Sequence, residues 1–140
     1  MLKQVQHDNY SVMIKELHNK LINKEITPVQ LTEQYFASIE QKDKDIFSYL
    51  TLTKETALAK AREVDKKLVS GEDIGLIEGI PGAIKDNICI QGVRTTAASK
   101  ILDNYIAPYD ATVVEKLKNE WKDTIASVED GVPIPKGFTY

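Results

Sequence analysis

The chain has 140 residues, of which 42% are hydrophobic and 28% charged, and its formal net charge at pH 7 is -3. This length allows one domain with a modest core, and the composition is ordinary for a soluble globular protein. The slight negative charge argues against nucleic-acid binding by the chain alone, and the single cysteine, Cys89, excludes an internal disulfide.

No segment of the sequence predicts secretion or membrane insertion. Residues 1–10 are polar and lack the apolar core of a signal peptide, and no apolar run is long enough to span a bilayer. His7 and His18 stand apart from other potential ligands, so we expect neither a metal nor another cofactor. The expected compartment is the cytoplasm.

Three helices are predicted in the first half of the chain. The clearest start is at Thr27, which can cap, followed by Pro28 at the first helical position and Gln30, which can close a capping box. This second helix is expected to run to about residue 42, and the third, over 54–69, to stop at Gly71. Apolar residues recur on one face of each helix: Ile14, Leu17 and Leu21; then Leu31, Tyr35 and Ile39; then Ala57, Ala61, Val64 and Leu68.

Strand candidates alternate with these helices. Residues 47–52 are rich in aromatic and β-branched side chains, and 80–90 form an apolar run interrupted by one charged pair. A fourth helix is expected after Asp110, which can cap it, with Val113, Leu117 and Trp121 facing the core. The alternation predicts an α/β fold in which helices cover a sheet. Residues 127–140 contain glycines and prolines without a helical period and predict an extended tail.

The segment around Lys85 is the candidate for chemistry. A lysine in an apolar run is more often a strand-end residue, with its stem packed and its ammonium in water. Here Ala83 and Ile84 flank Lys85, and glycines on both sides of the run allow close backbone approach. Partial desolvation would lower the proton affinity of Lys85 and let it act as a base near neutral pH.

Gly79–Ile88, with the sequence GIPGAIKDNI, resembles the lysine motif of the amidase-signature family. Four further segments are similar in particular to the A subunits of bacterial tRNA-dependent amidotransferases: Ile26–Leu31, Ala57–Ala61, Gly92–Leu102 and Tyr109–Leu117. The resemblance implies the N-terminal portion of the amidase-signature fold, with helices packed on a mixed sheet, incomplete in this chain.

The sequence departs from the family pattern near Glu120. We therefore divide the chain into a fragment of an amidase domain, residues 1–120, and a non-matching tail with Pro and Gly, residues 121–140. The predicted strand over 80–90 contains Lys85 and is called the lysine strand below. Without the rest of the family fold, it is expected to lack its neighbours in the sheet.

The resemblance implies a Ser–Ser–Lys triad in which Lys85 is the general base. Neutral lysine draws a proton through a bridging serine, so that the nucleophilic serine can attack a carboxamide. In the family, the Gly/Ser-rich stretch with both serines lies downstream and has no counterpart in these residues. Ser99 and Ser127 are the substitutes to consider, but neither lies in a glycine-rich setting.

The same resemblance implies the substrate and the partners. The amide is that of glutamine, and the freed ammonia passes to a partner subunit that activates misacylated glutamyl- or aspartyl-tRNA with ATP. The implied partners are the other subunits of a heterotrimeric amidotransferase and, through them, aminoacyl-tRNA. The resemblance implies no cofactor for the glutamine-hydrolysing component itself. The predicted function is that of a truncated amidase-signature protein resembling this ammonia-supplying component of translation.

Two other functions stay open. One is a non-catalytic fragment that packs against another chain, and the other is a binding module that uses Pro133–Pro135 in the tail. The absence of a Gly/Ser-rich segment favours an inactive role for the isolated chain, whereas the family resemblance favours the amidase role.

Overall fold

A computed structural model describes residues 13–121 and 127–130 of the chain. The elements, in chain order, are α1 (13–22), α2 (Pro28–Ile46), β1 (Tyr49–Leu52), α3 (Lys54–Ser70), β2 (Gly82–Lys85), a 3₁₀ turn (Lys100–Leu102), α4 (Thr112–Trp121) and β3 (Ser127–Asp130). β3 lies between the other two strands, antiparallel to β1 and parallel to β2, so the sheet is mixed. The predicted α/β class is confirmed. None of the helices in this part of the chain is long and apolar enough to cross a membrane.

Local sequence sets the ends of α2 and α3. The Gln30 N–H donates to Thr27 Oγ1 at 3.1 Å, and the Thr27 N–H donates to Gln30 Oε1 at 3.1 Å, which is the predicted capping box. α2 continues beyond the predicted residue 42 and closes at Phe47, whose φ of 56° is left-handed. The first strand is therefore shorter than predicted, because Phe47 still belongs to the helix cap. α3 stops as predicted at Gly71, with a φ of 79°.

The apolar faces of the helices form the core, with two differences from the prediction among the described side chains, which do not include the predicted core residue Trp121. Tyr35 is 40% exposed, and its neighbour Phe36 is buried in the core instead. In α4, Val113 is 47% exposed and Val114 is buried. A helix has an apolar stripe wider than one row of residues, so the position of the neighbouring elements decides which of two adjacent side chains faces inward.

Gly79 lies where α1, α2 and α3 converge. Its φ is 83°, and a Cβ at this position would lie 3.2 Å from Val64 Cγ1 and 3.3 Å from both Leu21 Cδ1 and Pro28 Cγ. Only glycine fits this backbone without strain and without pushing the helices apart. The chain thus passes directly against the helical layer before it enters β2.

β3 gives the lysine strand a neighbour. The residues of β2 pair in parallel register with those of β3, from Gly82 opposite Ser127 to Lys85 opposite Asp130. The expectation that the lysine strand lacks neighbours in the sheet is therefore wrong for one of its edges. Residues 131–140, with Pro133–Pro135, lie outside the described residues, and the division of the chain at residue 120 stays a prediction.

Candidate functional site

Lys85 is the last residue of β2. Side chains alternate across the strand, so Ile84 is buried against Ile90 and Val114, whereas Lys85 is exposed on the opposite face. Among the described side chains of residues 13–119, none is recorded in a hydrogen bond or salt bridge with the Lys85 ammonium. The structure therefore presents an exposed amine at the end of a strand.

The strand is shorter than the predicted run over 80–90. Pro81 has no N–H to donate before the strand, and immediately after it the Ile88 N–H donates to the Lys85 carbonyl at 2.9 Å and closes a turn. The predicted partial desolvation of Lys85 is wrong for this chain, because strand alternation directs its side chain to solvent. A shallow cavity of about 540 Å³ lies elsewhere, at the start of α2, and is lined by Glu25, Ile26, Gln30, Glu33, Gln34 and Ala37.

Asp86 directly follows Lys85 and is buried. Its Oδ1 accepts the Thr96 N–H at 2.8 Å, while Oδ2 accepts a short hydrogen bond from the Thr96 hydroxyl and a longer one, 3.4 Å, from the Ala98 N–H. The backbone carbonyl of Asp86 accepts the Ala97 N–H at 3.0 Å. Hydrogen bonds to a carboxylate are stronger than those between neutral groups, so this aspartate fixes the loop over 95–99 against the end of the lysine strand.

The same loop contains backbone strain. Ala97 and Ala98 have left-handed φ values of 48° and 57°. Each such conformation costs an L-residue about 1–2 kcal/mol, so two in succession need compensating contacts. The four hydrogen bonds to Asp86 supply those contacts, and we infer that the carboxylate holds the loop in its observed shape.

A second buried carboxylate, Glu78, lies on the approach to β2. It is fully buried and accepts a hydrogen bond from Lys67 Nζ at 2.7 Å and from the Gly75 N–H at 2.9 Å. Since a buried charge needs a partner, these bonds tie the end of α3 to the turn that precedes Gly79. The backbone that leads into the lysine strand is thus anchored from one side.

Asp110 anchors the segment that follows the lysine turn. Its Oδ1 accepts the Gln91 N–H at 2.8 Å and its Oδ2 accepts from Lys118 Nζ at 2.5 Å, so it joins this segment to α4. Burial raises the pKa of the Asp110 carboxyl, but the hydrogen bonds from Lys118 and Gln91 and the Lys118 charge outweigh burial and hold that pKa below its usual range. Asp110 was predicted to cap the fourth helix, which does begin near it. In the described residues, however, its carboxylate accepts hydrogen bonds from Gln91 and Lys118 and from no backbone amide of α4.

The two serines considered as nucleophiles lie at the end of the loop over 95–99 and at the start of β3. Ser99 is half-buried, precedes the 3₁₀ turn and donates its N–H to the Thr96 carbonyl at 2.8 Å. Ser127 is opposite Gly82, at the other end of β2 from Lys85. No group of three His, Cys, Asp or Glu residues in the described part of the chain could hold a metal ion.

The sequence made Lys85 the candidate for chemistry but did not indicate the residues that hold its surroundings. Asp86 and Thr96 are ten positions apart, and no periodicity connects them. Glu78 is a charged residue in a glycine-rich turn, where an exposed position is the ordinary expectation. The one available signal was the charged pair formed by Lys85 and Asp86 inside an apolar run, since a charge in such a run needs a partner or a function.

Comparison with known proteins identifies the fold. The family model described as Amidase matches residues 30–120. The native peptide amidase of Stenotrophomonas maltophilia aligns with 84% of this chain and 23% of its own, with a TM-score of 0.70 and 27% identity. The predicted fold, the N-terminal part of an amidase-signature enzyme, is therefore confirmed.

Curated relatives are more similar in sequence to this chain than the peptide amidase is. The A subunit of the glutamyl-tRNA(Gln) amidotransferase of Thermosynechococcus vestitus is 51% identical over 106 residues, which are 76% of this chain and 22% of the relative. That of Desulforamulus reducens is 52% identical over 110 residues, which are 79% of this chain and 23% of the relative. The chain thus spans less than a quarter of the length of these relatives. Because the Amidase model matches well over half of the 140 residues, the chain belongs to the amidase-signature family.

Proposed function

We propose that this chain is the lysine-bearing N-terminal part of a glutamine-hydrolysing A subunit of a tRNA-dependent amidotransferase. The observation that carries the proposal is the position of Lys85, whose exposed ammonium ends β2 inside a segment about half identical to such subunits. The fixed loop beside it, held by Asp86, supports the proposal because a catalytic group needs a rigid setting.

In the proposed enzyme, Lys85 is the general base. Its neutral amine accepts a proton that leaves the nucleophilic serine by way of a bridging serine, and the serine oxygen then attacks the carboxamide carbon of glutamine. The same proton is later given to the leaving amine, which departs as ammonia. Both serines belong to the part of the fold that follows the segment matched here. Enclosure by that part would desolvate Lys85 and make its neutral form accessible.

The proposed role in the cell follows from this reaction. Ammonia released from glutamine is consumed by a partner subunit, which uses ATP to activate glutamyl-tRNA(Gln) and amidates it. The partners are the other subunits of a heterotrimeric amidotransferase, and the compartment is the cytoplasm. For the 140 residues on their own, we propose no amidase activity, because a base without its serine has nothing to deprotonate.

The decisive experiment grafts residues 13–119 of this chain into the Desulforamulus reducens A subunit, in place of the matching segment. Lys85→Ala is expected to reduce glutamine-dependent amidation of glutamyl-tRNA by about 10³-fold or more, because triad members act as a unit. Lys85→Arg should do little better, since a guanidinium stays charged at any working pH. Synthesis from added ammonia should be unaffected by either change.

The matched control is Lys116→Ala, which removes an exposed lysine of α4. In this variant, the rates of amidation from glutamine and from added ammonia should both equal those of the unmutated graft. Near-normal glutamine-dependent activity in Lys85→Arg would make Lys85 a structural strand residue. In parallel, ammonia release from glutamine by the 140-residue chain should not exceed that of its Lys85→Ala variant.

A further inference from the structure

Lys85 and Asp86 are joined by one peptide bond but differ completely in their surroundings. Lys85 is exposed, whereas the side chain of Asp86 lies inside the protein and the residue is 3% exposed. In the described part of the chain, the pairing of β2 with β3 ends at Lys85, so the residues that follow are held by other contacts. The contacts of Asp86 therefore help to set the orientation of the backbone from which the Lys85 side chain leaves.

Three consecutive amides of the loop over 95–99 converge on Asp86. The Thr96 and Ala98 N–H groups donate to its carboxylate at 2.8 Å and 3.4 Å, and the Ala97 N–H donates to its backbone carbonyl at 3.0 Å. The Thr96 hydroxyl donates a fourth hydrogen bond to the carboxylate. Successive amides that curve around one anionic group form a nest, and the chain's own carboxylate fills this one. The loop thus holds both the side chain and the main chain of the residue that follows the lysine.

The strained backbone of this loop depends on the carboxylate that it surrounds. Ala97 and Ala98 both have left-handed φ values, 48° and 57°, a conformation that L-residues seldom adopt. Such strain persists only where the surrounding contacts over-determine the backbone. Loss of a hydrogen bond to Asp86 would therefore let the loop relax, and the Ala97 N–H would lose its position at the Asp86 carbonyl.

A small rotation at the strand end has a large effect on the lysine amine. An extended lysine side chain places Nζ roughly 6 Å from Cα, so a rotation of about 10° in the backbone moves the amine by about 1 Å. A displacement of about 1 Å can reduce the rate of a catalysed step by about 10²-fold. Contacts that fix the backbone at Lys85 and Asp86 are thus able to control the rate of a reaction in which the lysine takes part.

We propose that Asp86 and Thr96 are positioning residues for Lys85. The carboxylate, held by the Thr96 hydroxyl and the loop amides, fixes the end of β2 so that the lysine amine stands where it can accept the proton of the serine. Asp86 acts through the backbone, because its own carboxylate is buried and is engaged by the loop. This inference rests on the proposed function, in which Lys85 is the general base.

The test uses the grafted Desulforamulus reducens A subunit, assembled with its partner subunits. Thr96→Val keeps the shape of the side chain and removes the hydroxyl, and it should lower kcat with glutamine by about tenfold or more. The KM for glutamine should stay within about twofold, because orientation of the base matters only in the transition state. Asp86→Asn should lower kcat by about a hundredfold. Thr96→Ser keeps the hydroxyl and should stay within about threefold of the parent.

Amidation from added ammonia by the same preparations reports the amount of folded and assembled enzyme. It should be unchanged in Thr96→Val, since this reaction does not use Lys85. Equal losses with the two nitrogen donors would overturn the proposal, because a general structural defect would explain them. A raised KM at unchanged kcat would also overturn it, as would Thr96→Ser being as slow as Thr96→Val.

The matched control removes the hydroxyl of a second buried threonine. Thr32 is 2% exposed and its hydroxyl donates to the Pro28 carbonyl at 2.8 Å, while Thr96 is 4% exposed. Thr32→Val loses a buried hydrogen bond of the same kind, but it should leave kcat with glutamine within about twofold of the parent, because α2 does not contact the strand end through this hydroxyl. Equal losses of kcat in Thr32→Val and Thr96→Val would overturn the proposal.

Lys85→Ala separates this proposal from the proposed function. If Lys85→Ala abolishes glutamine-dependent activity while Asp86→Asn and Thr96→Val keep kcat within about twofold, the lysine base stands and its positioning by Asp86 is overturned. If Lys85→Ala keeps near-normal activity, the proposed function fails and Asp86 has no base to position. Should Asp86→Asn fail to assemble, seen as a loss of ammonia-dependent amidation, the comparison of Thr96→Val with Thr96→Ser decides.

Discussion

Gly79→Ala tests whether three helices converge on the backbone that leads to the lysine strand. Gly79 and Gly71 have nearly the same φ, 83° and 79°, so an alanine at either position incurs the same left-handed strain of about 1–2 kcal/mol. At Gly71 a Cβ meets nothing within 4 Å. At Gly79 it meets three side-chain carbons at 3.2–3.3 Å, so neighbouring atoms must move, and overpacking adds about 1–3 kcal/mol.

The expected difference between Gly79→Ala and Gly71→Ala is therefore about 1–3 kcal/mol in the free energy of unfolding. Urea unfolding followed by far-UV circular dichroism measures it as a difference in midpoint at constant slope. Val64→Ala removes the nearest carbon, so it should cost less in the Gly79→Ala background than alone, with a coupling of about 0.5 kcal/mol or more. Identical midpoints for the two glycine variants, or strict additivity with Val64→Ala, would refute the close packing at Gly79.

Three further variants test the anchors of the site. Asp86→Asn should destabilise the chain by about 2–4 kcal/mol and accelerate hydrogen exchange of the loop amides over 96–98, because an amide replaces a buried charged acceptor; unchanged exchange would refute its role. Glu78→Gln should cost about 1–3 kcal/mol in urea unfolding, since it breaks the buried pair with Lys67, and a stability within error of the parent would contradict this. Asp110 has a lowered folded-state pKa, so its stabilisation by Lys118 is present above the unfolded pKa of about 3.9 and is lost as pH falls below it. The stability difference between the parent and Asp110→Asn should thus shrink from about pH 5 to pH 2, and a difference that stayed constant would argue against the ion pair.

Local sequence determined the start of α2, the end of α3 and the main helical faces, whereas α2 ends at Ile46 and not near the predicted residue 42. The capping box at Thr27 and the stop at Gly71 involve residues within a few positions of each other, so short-range geometry is sufficient to predict them. The buried row of Ala57, Ala61 and Val64 in α3 was likewise evident from helical spacing. The lysine motif, with its flanking segments, was enough to indicate the family.

Tertiary structure decided which of two adjacent residues faces the core and which distant residues meet. Phe36 rather than Tyr35 is buried because the packing of α2 on its neighbours, not its own period, selects the inward direction. Lys85 is solvent-exposed although apolar Ala83 and Ile84 precede it, since strand alternation puts its side chain on the opposite face from Ile84.

The support of the candidate site was decided mainly by contacts between separate segments of the chain. The contact between Asp86 and Thr96 forms only because the chain returns to the strand end after ten residues, and no local pattern encodes that return. The requirement for glycine at position 79 arises from atoms on three separate helices. Hydrophobic period and capping act within a few residues of one element, whereas burial of a carboxylate and close approach of a backbone depend on how the elements pack together.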